Sequence, residues 1–233
     1  MESIYERVKE YPDMQKAVLV RKVHEYGDIY SFVFKPEREV KFIAGQFAHL
    51  LLHDMDESKG KPVHDFSIAS APHDGELMFT THVRKESLYK QKLDSLKEGD
   101  SVTLFKIKGE FTLPTHTDKP IVLIAGGIGI TPYRSMLRDV YGKEKSYNLM
   151  LIHVSDDAFL YEEEFSEYPL SQMRMSRDAL ASYLEELCEE NPDALYYVSG
   201  PPGFVDALKD MLTEFDVPEE HIKQDWFDGY EDL

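Results

Sequence analysis

Between Lys16 and about Pro114, apolar and polar positions alternate in short runs: AVLVRKVHEY, IYSFVFK, QFAHLLL, HDFSIAS, ELMFTTHV and SVTLFKI, separated by glycine, proline and aspartate. Runs of this length with period two are strands that turn one face to a core. Their regular spacing predicts a closed antiparallel β-barrel or sandwich. One segment breaks the series: SLYKQKLDSL, residues 87–96, sets Leu88, Lys92 and Ser95 with Leu93 and Leu96 at helical spacing, with Ser87 near its cap. Ahead of the strands, Ile4, Tyr5, Val8 and Tyr11 mark a short amphipathic helix that stops before Pro12.

After Pro114 the pattern changes. THTDKP is a polar connector, and strand and helix signals then alternate: IVLIA, a helix from Thr131, YNLMLIHV, FLYEEEF, SRDALASYLEELCEE, LYYVSG, PPGFVDALKDMLTEF and IKQDWF. Alternation of this kind predicts a parallel sheet with helices on both faces. The expected organisation is therefore an antiparallel β-barrel over 1–115 and an α/β parallel-sheet domain over 116–233, with the boundary near His116.

Ile121 to Ala125 form an apolar run too short for a free helix and rich in β-branched residues, so it reads as a strand buried on both faces. Gly126, Gly127 and Gly129 follow at once and let the backbone turn sharply and approach a ligand. Thr131 is placed to cap the next helix, and Pro132 fits its first turn. A strand, a glycine turn and a helix N-terminus aimed at one point favour an anion, so a phosphate-bearing ligand is expected there. In open parallel sheets ligands lie beyond the carboxyl ends of the strands, where SGPPG, residues 199–203, would face the same point.

Composition narrows the chemistry. With Cys188 as the one cysteine of 233 residues, there is no internal disulfide, no cysteine-ligated cluster and no Cys-rich zinc site, so redox chemistry must use an organic cofactor. The nine histidines form no H-x-x-x-H or H-E-x-x-H cluster, and no metal is expected. Glu162 to Glu164 read as a solvated helix face. No G-x-S-x-G elbow marks a nucleophile. A formal charge of −18 argues against nucleic acid as a partner and fits solubility. No apolar run spans a bilayer and the first residues carry mixed charge, so a soluble cytoplasmic protein is expected, with no membrane partner.

The ordered set HDFSIAS, GGIGITP and SGPPG, with GQF at Gly45–Phe47 and LKEGDSVTLFKIKGEFTLP at Leu96–Pro114, resembles the ferredoxin-NADP reductase superfamily of flavoenzymes. The resemblance covers the chain from about Lys16 and implies FAD, with FMN the alternative, and NADH or NADPH as co-substrate. It places the flavin along His64, Asp65, Phe66 and Ser67, with Phe66 as an aromatic wall and Ser67 as a donor near the reactive edge. The flavin's phosphates would lie at the strand-to-helix junction of His82, Val83, Arg84, Lys85, Ser87 and Leu88. The nicotinamide nucleotide would take its diphosphate on Gly126, Gly127, Gly129, Thr131 and Pro132, and its nicotinamide beside Ser199, Gly200, Pro201 and Pro202. His64 stands where the family has arginine, and Ser199 where it has cysteine; histidine lacks arginine's fixed fork for phosphate. At the end of the second parallel strand, Asp156, with Ser155 and Asp157, suits a free ribose diol and favours NADH, while Arg174 and Arg177 suit a 2′-phosphate. In the ending DWFDGYEDL, Trp226, Phe227 and Tyr230 are candidates to cover the flavin face, Phe227 first.

The implied activity is hydride transfer from NAD(P)H to the flavin across the domain cleft, and onward transfer of electrons to a separate acceptor, protein or small molecule. Ser67, Ser199 and Phe227 are its candidate catalytic residues. Such transfer needs placement of the two rings within about 3–3.5 Å rather than an acid or base. Two alternatives remain at this stage: an electron-transfer subunit of a larger redox complex, and a non-catalytic flavin- or nucleotide-binding redox sensor.

Overall fold

The computed structural model describes residues 4–226 except 57 and 59. The chain divides into two units, one running to Thr112 and the other from Leu113. No helix of the described residues is long and apolar enough to cross a membrane.

The first unit opens with α1 (Ile4–Val8), followed by β1 (Gln15–Tyr26), β2 (Ile29–Pro36), β3 (Phe47–Leu51), β4 (Val63–Ser67), β5 (Leu77–His82), α2 (Leu88–Ser95) and β6 (Ser101–Lys108). The strands make one antiparallel sheet in the order β4-β3-β6-β1-β2-β5. The sheet curls, but no ladder joins β4 to β5. In place of the closed barrel expected from the strand spacing, the sheet is a half-barrel whose edges meet beyond the end of β4, where Ala69 N–H donates to Met78 O and Met78 N–H to Ser70 Oγ. Inward residues of every strand, among them Leu19, Phe32, Phe34, Leu50, Phe79 and Leu104, form the core, and α2 closes it with Tyr89 and Leu93. On the outer face, Val8 of α1 packs on Leu51 and Phe105.

The second unit carries β7 (Ile121–Gly126), α3 (Thr131–Gly142), β8 (Leu149–Val154), α4 (Glu162–Ser166), β9 (Ser171–Met175), α5 (Arg177–Glu190), β10 (Leu195–Gly200), α6 (Pro202–Glu214) and β11 (Ile222–Trp226). All five strands are parallel, in the order β11-β10-β7-β8-β9. Strand order therefore reverses between β7 and β10, the topological switch point beside which ligands bind in open α/β sheets. Val122, Ile124, Ile152, Val154, Tyr196 and Val198 turn one face of the sheet to α5 and α6. By strand alternation Ala125, His153, Tyr197 and Ser199 turn the other way. On that side Tyr133 of α3 donates its buried hydroxyl to Ile124 O and Tyr197 O, at 3.1 and 2.7 Å.

β9 is absent from the sequence expectation. SQMRM has no β-branched residue, lies at the sheet edge and is largely exposed, so it carries neither the composition nor the alternation of a strand.

Candidate functional site

The switch point of the second unit is built by two turns packed on each other. After β7 the chain enters a 3-10 turn, Gly127–Ile130, that runs straight into α3. A Cβ on Gly129 would come within 2.2 Å of Ser199 O, and one on Gly126 within 2.6 Å of the Phe204 ring. These glycines serve turn-to-turn packing. Gly127 differs: its φ is +52°, and nothing lies within 4 Å of where its Cβ would be. It is the glycine of this turn that faces open space.

The expected cap at Thr131 does not form. Ile130 already has helical dihedrals and no side chain caps α3, because the 3-10 turn leaves no extended residue from which a side chain could fold back; Thr131 is the first helical residue and is buried. Pro132 does lie in the first turn, where its missing N–H is harmless. At the other turn Pro201 precedes α6 and Pro202 begins it.

Ser199 is fully buried and its Oγ has no hydrogen-bond partner among the described residues. An unmade hydrogen bond on a buried hydroxyl costs about 1–3 kcal/mol, which marks the position as one shaped for something besides stability. Ser199 lies level with Ala125 of β7, which lies level with His153 of β8 and then Arg174 of β9. His153 is a residue that the motifs do not point to. It is 3% exposed, and its Nε2–H donates to Gly127 O at 2.9 Å. Burial, against the pull of that hydrogen bond, pushes its pKa down to about 4, so the ring is neutral at pH 7.

Asp156 and Asp157 are exposed just beyond β8. Arg174 is ion-paired to Glu162 at 3.0 Å, and the Arg177 guanidinium lies 5.9 Å from the Phe204 ring, the ring that also packs on Gly126 and Gly200. Of the acidic run of α4, Glu162 and Glu163 are exposed as expected, and Glu164 is half-buried. Glu164 accepts from Arg134 Nε at 2.7 Å and Arg138 Nη1 at 3.0 Å, which ties α4 to α3.

In the first unit, His64 and Phe66 are aromatic neighbours on β4. The His64 ring lies 4.2 Å from the Tyr89 ring, and Phe66, 7% exposed, sits among Tyr89 and Phe79 in the barrel core. Asp65 turns outward to His49 at 3.2 Å, and Ser67 is buried opposite Phe47. At the strand-to-helix junction, Ser87 caps α2 by accepting from Lys90 N–H at 3.3 Å, and Leu88 is exposed. His82 Nδ1–H donates to Asp28 at 2.6 Å, and Arg84 lies 3.7 Å from the other oxygen of the same carboxylate. Burial lowers the pKa of Lys90, with Arg84 adding to it; burial lowers that of His82 too, with Arg84 and Lys90 adding and Asp28 opposing. Asp28, Tyr30, Val83, Lys85 and Gln91 line a recess of about 480 Å³ beside this group. Cations crowded at a helix N-terminus, in a chain of net charge −18, form a donor set suited to phosphate. Phe227 and Tyr230 lie outside the described residues; Trp226 is 48% exposed.

Among the described residues no cluster of His, Cys, Asp and Glu is arranged to hold a metal.

Residues 123–210 match the family description of an oxidoreductase NAD-binding domain. The chain is 27% identical to the flavohemoprotein of Bacillus subtilis, over 96% of this chain and 63% of that protein. It is 30% identical to the flavohemoprotein of Pseudomonas putida, over 90% of this chain and 58% of that one. The chain thus spans about three-fifths of the length of these relatives. In fold it is similar to the ferredoxin NADP+ reductase of Neisseria gonorrhoeae, solved with bound FAD and NADP, with a TM-score of 0.78 at 16% identity over 91% of this chain and 98% of that one. A curled antiparallel sheet followed by a parallel sheet, with residues 123–210 matching an oxidoreductase NAD-binding domain, gives this chain the two-domain fold of the ferredoxin NADP+ reductase it is similar to.

Proposed function

We propose that the chain is an NAD(P)H-dependent flavin oxidoreductase that holds FAD on its first unit, takes NADH or NADPH on its second, and delivers electrons to a separate acceptor. The observation that carries this reading is Ser199: a fully buried hydroxyl without a partner, at the switch point, against the glycine turn. The matched NAD-binding domain, and the FAD and NADP bound to the gonococcal reductase of the same fold, support it.

On this reading the coenzyme's diphosphate lies on the amides of the Gly127 turn and the start of α3, and the Ser199 hydroxyl bonds the nicotinamide. In the first unit, Arg84, Lys85 and the N-terminus of α2 hold the flavin's diphosphate, His64, backed by the buried Phe66 ring, presents an aromatic face, and Ser67 supplies a hydroxyl. The flavin, when bound, supplies the redox chemistry as acceptor of two electrons. The protein's own part is to bind and orient, since the transfer itself needs no acid or base. Exposed Asp156 favours NADH; Arg174 is held by Glu162, and Arg177 is the residue through which NADPH would compete.

The test is to mix the purified chain with FAD and then with NADH or NADPH in the absence of oxygen. Loss of the flavin's visible absorbance on a timescale of seconds, on the order of ordinary turnover, supports the enzyme, and the faster coenzyme fixes the preference. Binding of both ligands without loss of absorbance refutes it.

A further inference from the structure

His153 has no place in the reading above, yet it is buried among aliphatic residues of β8, Leu151, Ile152 and Val154, at the strand end that faces the glycine turn. We propose that His153 is a positioning residue for the coenzyme: by holding the Gly127 carbonyl it fixes the following peptide so that the Ile128 N–H is presented to the diphosphate. This inference rests on the NAD(P)H reading.

Three observations carry it. The Nε2–H of His153 donates to Gly127 O at 2.9 Å, and Gly127 is the one residue of the turn with a left-handed φ and open space around it. No peptide bond of the described chain is cis. In a planar trans peptide the C=O and the next N–H point in opposite directions. A Gly127 carbonyl turned in to His153 therefore turns the Ile128 N–H away from it, and Ile128 is half exposed. Finally, the imidazole is itself held. Phe159 meets it edge-on with centroids 5.3 Å apart, and its neutral state leaves Nε2–H as a donor of fixed direction. An aliphatic side chain would fill the same volume without burying a polar ring. What the histidine adds is a bond to the turn.

The test uses the full chain loaded with FAD and two substitutions, His153→Gln, which keeps an N–H donor of similar reach, and His153→Leu, which fills the space without one. Affinity for ADP-ribose, which carries the diphosphate but cannot react, is measured by calorimetry beside KM and kcat for NADH and NADPH. The expected result is a loss of about tenfold in ADP-ribose affinity for His153→Leu, the worth of one hydrogen bond. KM should rise with kcat little changed, and His153→Gln should restore most of the affinity. Equal affinity of His153→Leu and wild type overturns the inference, as does an equal loss in both variants. A second measurement needs no variant: hydrogen exchange at the Ile128 amide of the wild-type chain slows on adding ADP-ribose, and an unchanged rate overturns the proposal. Failure of the wild-type chain to bind ADP-ribose or either coenzyme overturns the nucleotide reading itself, and this inference with it.

Discussion

Gly129 rests so closely on Ser199 that a methyl group at its α-carbon would lie 2.2 Å from the Ser199 carbonyl oxygen. The obstacle is backbone at the end of a central strand, which cannot swing aside as a side chain can. Gly129→Ala must push the two turns apart. We expect a stability loss of about 1–3 kcal/mol, the usual range for overpacking, and a weakening of coenzyme binding larger than that of flavin binding. Thermal melting and separate titrations with ADP-ribose and FAD check this.

Ser199→Ala separates stability from activity. Removing a buried hydroxyl that has no partner relieves a desolvation cost, so the melting temperature should hold or rise. The rate of flavin reduction by NAD(P)H should fall by about tenfold, the equivalent of one hydrogen bond in the transition state. A variant that loses stability and keeps its rate contradicts the role assigned to Ser199.

Asp28 is a third point of test. Its carboxylate holds the His82 ring and the Arg84 guanidinium, donors that the proposed flavin phosphates would need. Burial works to raise the Asp28 pKa, but the His82 hydrogen bond and the charges of His82 and Arg84 outweigh it, and the net shift is downward. The carboxylate is thus charged at neutral pH, and it stands beside the proposed anion site. Asp28→Asn should tighten FAD binding by a few fold, the scale of one partly screened charge. Fluorescence titration of FAD measures it, and the gain should shrink as salt is raised.

His153 also sets a pH dependence. Its folded pKa, about 4, lies below the ordinary 6.5, because burial, with a smaller contribution from Arg174 on β9, disfavours the charged ring. Between those values the unfolded chain binds a proton that the folded chain refuses, so stability falls as pH drops from about 6.5 to about 4 and levels off on either side. The full effect is roughly 3 kcal/mol at 1.4 kcal/mol per pH unit. Chemical denaturation at a series of pH values should show this slope, and His153→Gln should remove it.

What could be read in the chain and what could not follows from the range of the interactions involved. The strands of the first unit were legible because half-burial writes a period of two into each of them, and Ser87 because a cap is a local bond. The glycine and diproline turns were legible as turns. Their packing was not, since Gly129 and Ser199 meet only when β7 and β10 become neighbours across the switch point. His153 lay hidden inside LIHV, which reads as an apolar strand, because its partner Gly127 is 26 residues away. Glu164 looked like part of a solvated acidic run for the same reason: Arg134 and Arg138 come from a helix two elements earlier. β9 left no trace because an exposed edge strand is under little demand for β-branched or alternating residues.

The missing ladder between β4 and β5 leaves the first unit with a seam. Every other neighbouring pair of strands in this sheet is joined by a ladder, whereas these edges meet where Met78 bonds Ala69 and Ser70. A seam without a ladder can part while the laddered pairs stay joined. Deuterium should therefore reach the amides of Ala69 and Met78 well before those of β1 and β2, and the wall bearing His64 and Phe66 should breathe while the rest of the sheet stays shut.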